Sequence, residues 1–170
     1  VEVADQKVLA ITIKNNIDGV YHVWGLQDYD TEKALIKPVN YVKCESEPEL
    51  LARFVNHWRQ EENIPDVITG WNVRFFDIPY LVNRVNRICG VDMVRQFSPW
   101  GLIDQRKVRR LNREEMTYDI KGIQVMDYLE LFQKFGYSYG KQESYKLDHI
   151  GHVVLGEKKL SYEESGSLKN

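Results

Sequence analysis

Thr69-Gly70-Trp71-Asn72-Val73-Arg74-Phe75-Phe76-Asp77-Ile78-Pro79-Tyr80 is the stretch on which the reading of the fold turns. Just before it, Pro65 is followed by the short apolar run Asp66 to Gly70, the length of a buried strand. Just after it, Ile78, Leu81, Val82, Val85 and Ile88 recur at helical spacing as far as Gly90, a residue suited to closing a helix. The stretch therefore reads as a strand end, a connection and a helix start, with Asp77 at the junction. In α/β sheets that junction is where polar groups are presented to a ligand. An aspartate there with a proline two residues on also has an ordinary reading, a helix cap with proline in the first turn.

Working outward toward the N-terminus, Ser46 with Glu49 three residues on makes a capping box. Leu50, Leu51, Phe54, Val55 and Trp58 follow as one apolar face. Val39 to Cys44 is a short strand, and Gln27 to Lys37 is charged and irregular. Lys7 to Lys14 and Val20 to Leu26 are strand-like runs around the turn Asn15 to Gly19, an antiparallel hairpin. Val1 already lies in an apolar strand-like run. Toward the C-terminus, Lys107 to Leu111 and Met116 to Ile120 flank a polar hairpin tip, Asn112 to Glu115. Ile123 to Met126 reads as a strand, Tyr128 to Phe135 as an amphipathic helix and Gly136 to Ser144 as a loop. Tyr145, Leu147, Ile150 and Val154 read as a last helix ending at Gly156. Glu163 to Asn170 is a polar connection, and no repeat, low-complexity tract or interdomain linker interrupts the chain. The order predicts an α/β domain with one mixed sheet flanked by helices and an extra β-hairpin. It is compatible with a ribonuclease H-like fold, which periodicity alone does not select.

The 170 residues, 43% of them hydrophobic, suit one domain with a sizeable core. With 23 basic and 25 acidic residues there is no global positive field to draw in duplex DNA, so any nucleic-acid contact must be local. Cys44 and Cys89 are far apart without metal-ligand spacing, and no apolar stretch has membrane-spanning length. An intracellular protein with reduced thiols and no membrane partner is expected.

Asn72, Phe76, Asp77 and Pro79 match the second exonuclease motif of family B DNA polymerases: Asn, three variable residues, Phe, Asp, one variable residue, Pro. The flanking Gly-Trp-Asn and Ile-Pro-Tyr resemble its bacteriophage T4-type branch. The resemblance implies a 3′-5′ proofreading exonuclease region of a ribonuclease H-like fold. Such exonucleases use four carboxylates to hold two divalent metal ions, Mg²⁺ or Mn²⁺, about 4 Å apart, and Asp77 takes one ligand position. Glu2 matches the second carboxylate of the first motif, Asp-x-Glu, whose aspartate would precede Val1. The competing reading of Glu2 is solvated surface. The third motif, Tyr, three variable residues, Asp, is not present. Tyr145-Lys146-Leu147-Asp148 is one residue too short and resembles the helix preceding that motif, which leaves Asp148 a structural role.

By the same resemblance Asn72 and Phe76 lie at the primer terminus, an amide for hydrogen bonding and a ring for stacking on a splayed base. Phe75 and Trp71 are expected in the core. Asp127 ends a strand within reach of the metal neighbourhood, but an N-cap for the next helix is the stronger reading. Gln105 to Arg110 is the densest basic run. Arg109 and Arg110 face DNA if this is the hairpin that helps part primer from template, or line a solvated edge strand if it is not. The four histidines, His22, His57, His149 and His152, make no metal constellation.

The function implied is removal of 3′-terminal nucleotides from single-stranded DNA or a frayed primer end, as part of a DNA-directed DNA polymerase. Its partner is the rest of the polymerase chain, its state a monomer, and its place the cytoplasm of an infected bacterial host. The chain reads as a single exonuclease domain cut short at both ends, nearly inactive alone because its first motif is incomplete and its third is missing. Two rivals stand beside this. One is a non-catalytic ribonuclease H-like module that binds DNA or docks on protein. The other is a metal nuclease of the same fold that cuts structured or internal sites.

Overall fold

The structure, a computed structural model, describes residues 1–110 and 113–158, the side chains of Arg110 and Arg113 excepted. Strands β1 (Ala10–Lys14) and β2 (Tyr21–Gly25) pair antiparallel, Ile11 opposite Trp24. Their turn is closed by two short side chains: Asn15 Oδ1 accepts from the Ile17 amide and Asp18 Oδ1 from the Val20 amide, both at 2.8 Å. Strand β3 (Val39–Lys43) returns parallel to β2, after a crossover that includes a short 3-10 turn, Thr31–Lys33.

Helix α1 (Glu47–Trp58) starts as predicted. The Ser46 hydroxyl accepts from the Glu49 amide, and the Glu49 carboxylate returns to the Glu45 amide, one residue further out than the usual box. Its predicted face is the core: Leu50, Leu51, Phe54 and Val55 are fully buried, and Phe54 meets Trp24 edge to face at 5.4 Å. Trp58 donates its indole N–H to the Phe97 carbonyl at 3.0 Å, closing that end of the core.

Strand β4 (Val67–Gly70) leads into helix α2 (Asp77–Cys89), which buries Ile78, Pro79, Val82 and Val85 against α1. A short helix α3 (Val91–Arg95), which no periodicity announced, follows Gly90 at φ 88°. Strands β5 (Ile103–Arg110) and β6 (Arg113–Ile120) form the extra hairpin. Strand β7 (Gln124–Asp127) pairs parallel with β4 and runs directly into helix α4 (Tyr128–Phe135). Helix α5 (Leu147–Leu155) ends on a left-handed Gly156 at φ 73°, whose amide donates to the His152 carbonyl. No helix among the described residues is long and apolar enough to cross a membrane.

The α/β class holds, with differences in detail. In place of one continuous sheet, the described residues form a three-stranded mixed sheet β1-β2-β3, a parallel pair β4-β7 and the hairpin β5-β6. Strand β4 is not buried as predicted. It has one ladder partner, and Val67 and Thr69 face solvent. The apolar run at Val1 to Val3 forms no strand, because its carbonyls are taken by side chains of α2 in place of a neighbouring ladder. The hairpin strands are longer than predicted. Glu114 and Glu115, expected at the tip, stand in the ladder opposite Arg109 and Val108, where opposite charges favour pairing. Leu111, Asn112 and the predicted connection Glu163 to Asn170 lie outside the described residues.

Candidate functional site

Beyond Gly70 the chain must reverse from the end of β4 into α2, and Asn72 makes the sharpest part of that turn in the left-handed region, at φ 62°. Asparagine is among the few non-glycine residues that adopt it at modest cost. Val73 then drops into the core and anchors the turn, its carbonyl accepting from the Ile78 amide at 3.0 Å. Asp77 is not the helix cap of its ordinary reading. It is the first residue of α2, the cap position falls on Phe76, and no side chain closes it. The first amides of the helix are nonetheless already paired, Ile78 to the Val73 carbonyl and Tyr80 to that of Phe76, so what the Asp77 carboxylate meets there is the positive end of the helix dipole.

Asp77 is exposed, yet the protein around it removes enough hydration to raise its pKa. The nearby Asp127 charge adds to the rise, and Asp77's own amide opposes it. A pKa higher in the folded than in the unfolded state means the folded state binds more protons. Stability from this source is then lost as pH rises through the folded value and is fully present below the unfolded one. Asp77→Asn is expected to raise the melting temperature of the metal-free protein at pH 7, and by less at pH 4. An equal gain at both pH values would show that the ionised carboxylate is not the source.

Asp127, nearly fully buried, has both carboxylate oxygens engaged. Oδ1 accepts from the amides of Asn72 and Leu129, each at 2.9 Å, and Oδ2 from the Arg74 amide at 3.0 Å. It is the N-cap of α4, as the stronger sequence reading held, and it also ties the 72–74 turn to the end of β7. Arg74 adds a second tie through the Val125 carbonyl and an ion pair with Glu130. The double role of Asp127 escaped the sequence because its partners are backbone amides more than 50 residues away.

A cleft of about 440 Å³ opens beside this turn, lined by Val1, Glu2, Val3, Asn72, Phe75, Glu114, Glu115 and Met116. The N-terminal segment, the turn before Asp77 and the hairpin thus share one cavity. Glu2 is exposed and its charge, after burial, contributes to the raised pKa of the Tyr118 phenol. The aromatic ring in the cleft is Phe75, which sequence reasoning assigned to the core. Phe76 lies outside it, 53% exposed and stacked on Tyr80. Trp71 is half-buried beside Phe132 and donates to the Tyr145 carbonyl, holding the 136–146 loop against the turn.

On the hairpin the basic run is met by acids. Arg106 pairs with Asp119 at 3.0 Å and Lys107 with Glu114 at 3.7 Å. Arg109 is exposed opposite Glu114, and the Arg110 side chain lies outside the described residues. His22 and His57 meet at a tilt, 4.6 Å between ring centres, beside Trp24, and His149 bonds Gln142. Among the described residues no group of three or more His, Cys, Asp or Glu is arranged to hold a metal ion. The carboxylates of Asp77 and Glu2 are nonetheless the hard oxygen donors that Mg²⁺ or Mn²⁺ take. A carboxylate whose ionisation is opposed by lost hydration and a neighbouring acid gains from a cation.

Residues 2–150 match the family model described as DNA polymerase family B, exonuclease domain. The DNA-directed DNA polymerase of Escherichia phage RB69 is 35% identical over 129 residues, 76% of this chain and 14% of the phage protein. That of Enterobacteria phage T4 is 29% identical over 134 residues, 79% of this chain and 14% of its own length. The DNA polymerase catalytic subunit of Psittacid herpesvirus 1 is 32% identical over 132 residues, 74% and 12% of the two chains. The chain therefore spans about a seventh of the length of the phage relatives it matches.

Proposed function

Since the chain belongs to the exonuclease domain of the family B DNA polymerases, we propose that it is the 3′-5′ proofreading region of a longer DNA-directed DNA polymerase, acting in the cytoplasm of a phage-infected bacterium. In this reading its fold is ribonuclease H-like, as the family implies. The observation that carries the reading is the convergence of Glu2 and the turn before Asp77 on one cleft, with Glu114, Glu115 and Met116 of the hairpin as its third wall.

In this reading Asp77 and Glu2 are two of the carboxylates that hold a pair of divalent ions, Mg²⁺ or Mn²⁺. When bound, those ions lower the pKa of the attacking water and offset charge on the reacting phosphate. The protein's part is to fix position. Asn72, held in its turn by Asp127, directs its amide toward a 3′-terminal nucleotide. Phe75 in the cleft offers the face on which a splayed base stacks, and Phe76, exposed outside the cleft, a second ring for the strand leading to it. Mispaired ends reach the cleft more often because unpairing them costs less.

The test is release of mononucleotides from a 3′-labelled oligonucleotide by the full-length protein, with a chelator blank and with matched and mismatched primer termini. Metal-dependent release favouring the mismatched end is expected. Internal cleavage, or binding without cleavage, would replace proofreading with one of the rival readings.

Arg109 and Arg110 make the DNA contact of the hairpin in this proposal. Alanine at both is expected to weaken single-strand binding and flatten its salt dependence, about one unit of slope for each phosphate no longer neutralised. Arg106 and Lys107, already paired with Asp119 and Glu114, should matter less. A salt titration that leaves the double variant unchanged would reduce the hairpin's basic run to a solvated edge.

A further inference from the structure

One face of α2 holds the N-terminal segment by its backbone. Tyr80 donates to the Gln6 carbonyl, Arg84 Nη1 to those of Ala4 and Asp5 at 2.9 and 3.0 Å, and Arg87 to that of Val3 at 3.3 Å. Spacings of three, seven and ten from Asp77 put these side chains on the face that Asp77 heads. At the centre of the grip is a buried ion pair. Arg84 Nε and Nη2 bond the two Glu47 oxygens at 2.7 and 2.6 Å, and the Val8 amide donates to Glu47 Oε1 at 2.7 Å. Arg84 and Glu47 side chains are 8% and 6% exposed.

The chain they hold is bent. Ala4 is 1% exposed and sits at φ 43°, a left-handed conformation that is strained for an alanine and persists only where the surroundings over-determine it. Two residues before that bend is Glu2, in the cleft. A buried ion pair adds little net stability over well-packed apolar residues, so the pair is better explained by the geometry it imposes on residues 3–8.

We infer that Arg84, oriented by Glu47, is a positioning residue: it clamps the bent N-terminal segment to the helix that begins at Asp77, so that Glu2 and Asp77 are held as one unit. The inference rests on the proposed role of those two carboxylates. Arg84 is buried and does not line the cleft, so it acts by limiting the freedom of Glu2.

Arg84→Lys keeps a charge beside Glu47 but lacks the planar fork that reaches two carboxylate oxygens and two carbonyls together. In the full-length protein without DNA, amide hydrogen exchange over residues 2–9 is expected to rise about tenfold in this variant, the rest of the domain exchanging as before. Mn²⁺ affinity by calorimetry should fall about fivefold. The rate of 3′ nucleotide release at saturating Mn²⁺ should return to within about twofold of the parent. If Arg84→Lys does not fold, Tyr80→Phe/Arg87→Ala removes the two surface grips and is read the same way with smaller changes. Loosened exchange with unchanged Mn²⁺ affinity, or unaltered exchange in a folded variant, would overturn the inference. Asp77→Ala, measured alongside, separates this from failure of the site itself: if it binds Mn²⁺ as the parent does, the site reading falls whatever Arg84 does.

Discussion

Asp77→Ala in the full-length protein is expected to cut 3′ mononucleotide release by about a thousandfold or more while leaving the domain folded. The size follows from the chemistry. A metal site that both activates water and offsets phosphate charge is worth several kcal/mol, and each 1.36 kcal/mol is a factor of ten in rate. The carboxylates act as a unit, so loss of one removes most of what the set provides. The fold should survive because Asp77 caps no helix and its ionised form is disfavoured where it stands. A lower melting temperature would instead mean that the carboxylate supports the first turn of α2. The assay is a labelled oligonucleotide with and without chelator, paired with a thermal melt of the same preparation. Cleavage at the parent rate by a folded Asp77→Ala protein would remove the proofreading assignment of this site.

How much of this was legible in the sequence depended on whether the signal was local. Helix α1 was readable because Ser46, Glu49 and five apolar residues at one spacing agree with one another, and all five are buried. The turn into α2 was readable because Asn72, Phe76, Asp77 and Pro79 form a dense local pattern. What was not legible is long-range. The Arg84–Glu47 pair joins residues 37 apart, and nothing about a lone arginine on a helix announces burial, the less so because arginine is seldom fully buried. The exchange between Phe75 and Phe76 had the same cause. Adjacent aromatics in a non-helical turn point in directions that no period assigns, and the cleft took the one that spacing left to the core.

The hairpin carries a different lesson. A basic run of six residues suggested a phosphate-binding surface, but charge along one strand says nothing about the strand beside it. Arg106 and Lys107 face Thr117 and Met116 in the ladder but reach diagonally to Asp119 and Glu114, so the positive field is much weaker than the run alone implies. Exposed pairs of this kind add little stability. Their larger effect is on the field around the hairpin, since a strand pair of mixed charge attracts duplex DNA nonspecifically less than a basic run alone would.

Asp127→Ala is expected to destabilise the protein by about 3–5 kcal/mol, the largest stability effect of any single polar substitution around the site. Capping alone accounts for about 1 kcal/mol of that. The remainder comes from leaving the half-buried amides of Asn72 and Arg74 without their acceptor, a hydrogen bond to a charged group being worth about 1.5–3 kcal/mol. For a chain of this length the melting temperature should fall by about 10 °C. Asp127→Asn is the informative companion: its one oxygen can replace Oδ1, toward Asn72 and Leu129, but its amino group meets the Arg74 amide donor to donor, so the loss should lie between parent and alanine. The pattern separates two roles that proximity to Asp77 leaves open. A metal ligand is held against the repulsion of its neighbours, and its removal leaves the metal-free fold unchanged or more stable, as expected for Asp77. A carboxylate consumed by three amides has the opposite signature, large loss of stability without metal. A metal-free Asp127→Ala protein melting within about 2 °C of the parent would return Asp127 to the candidate ligands and leave the 72–74 turn needing another anchor.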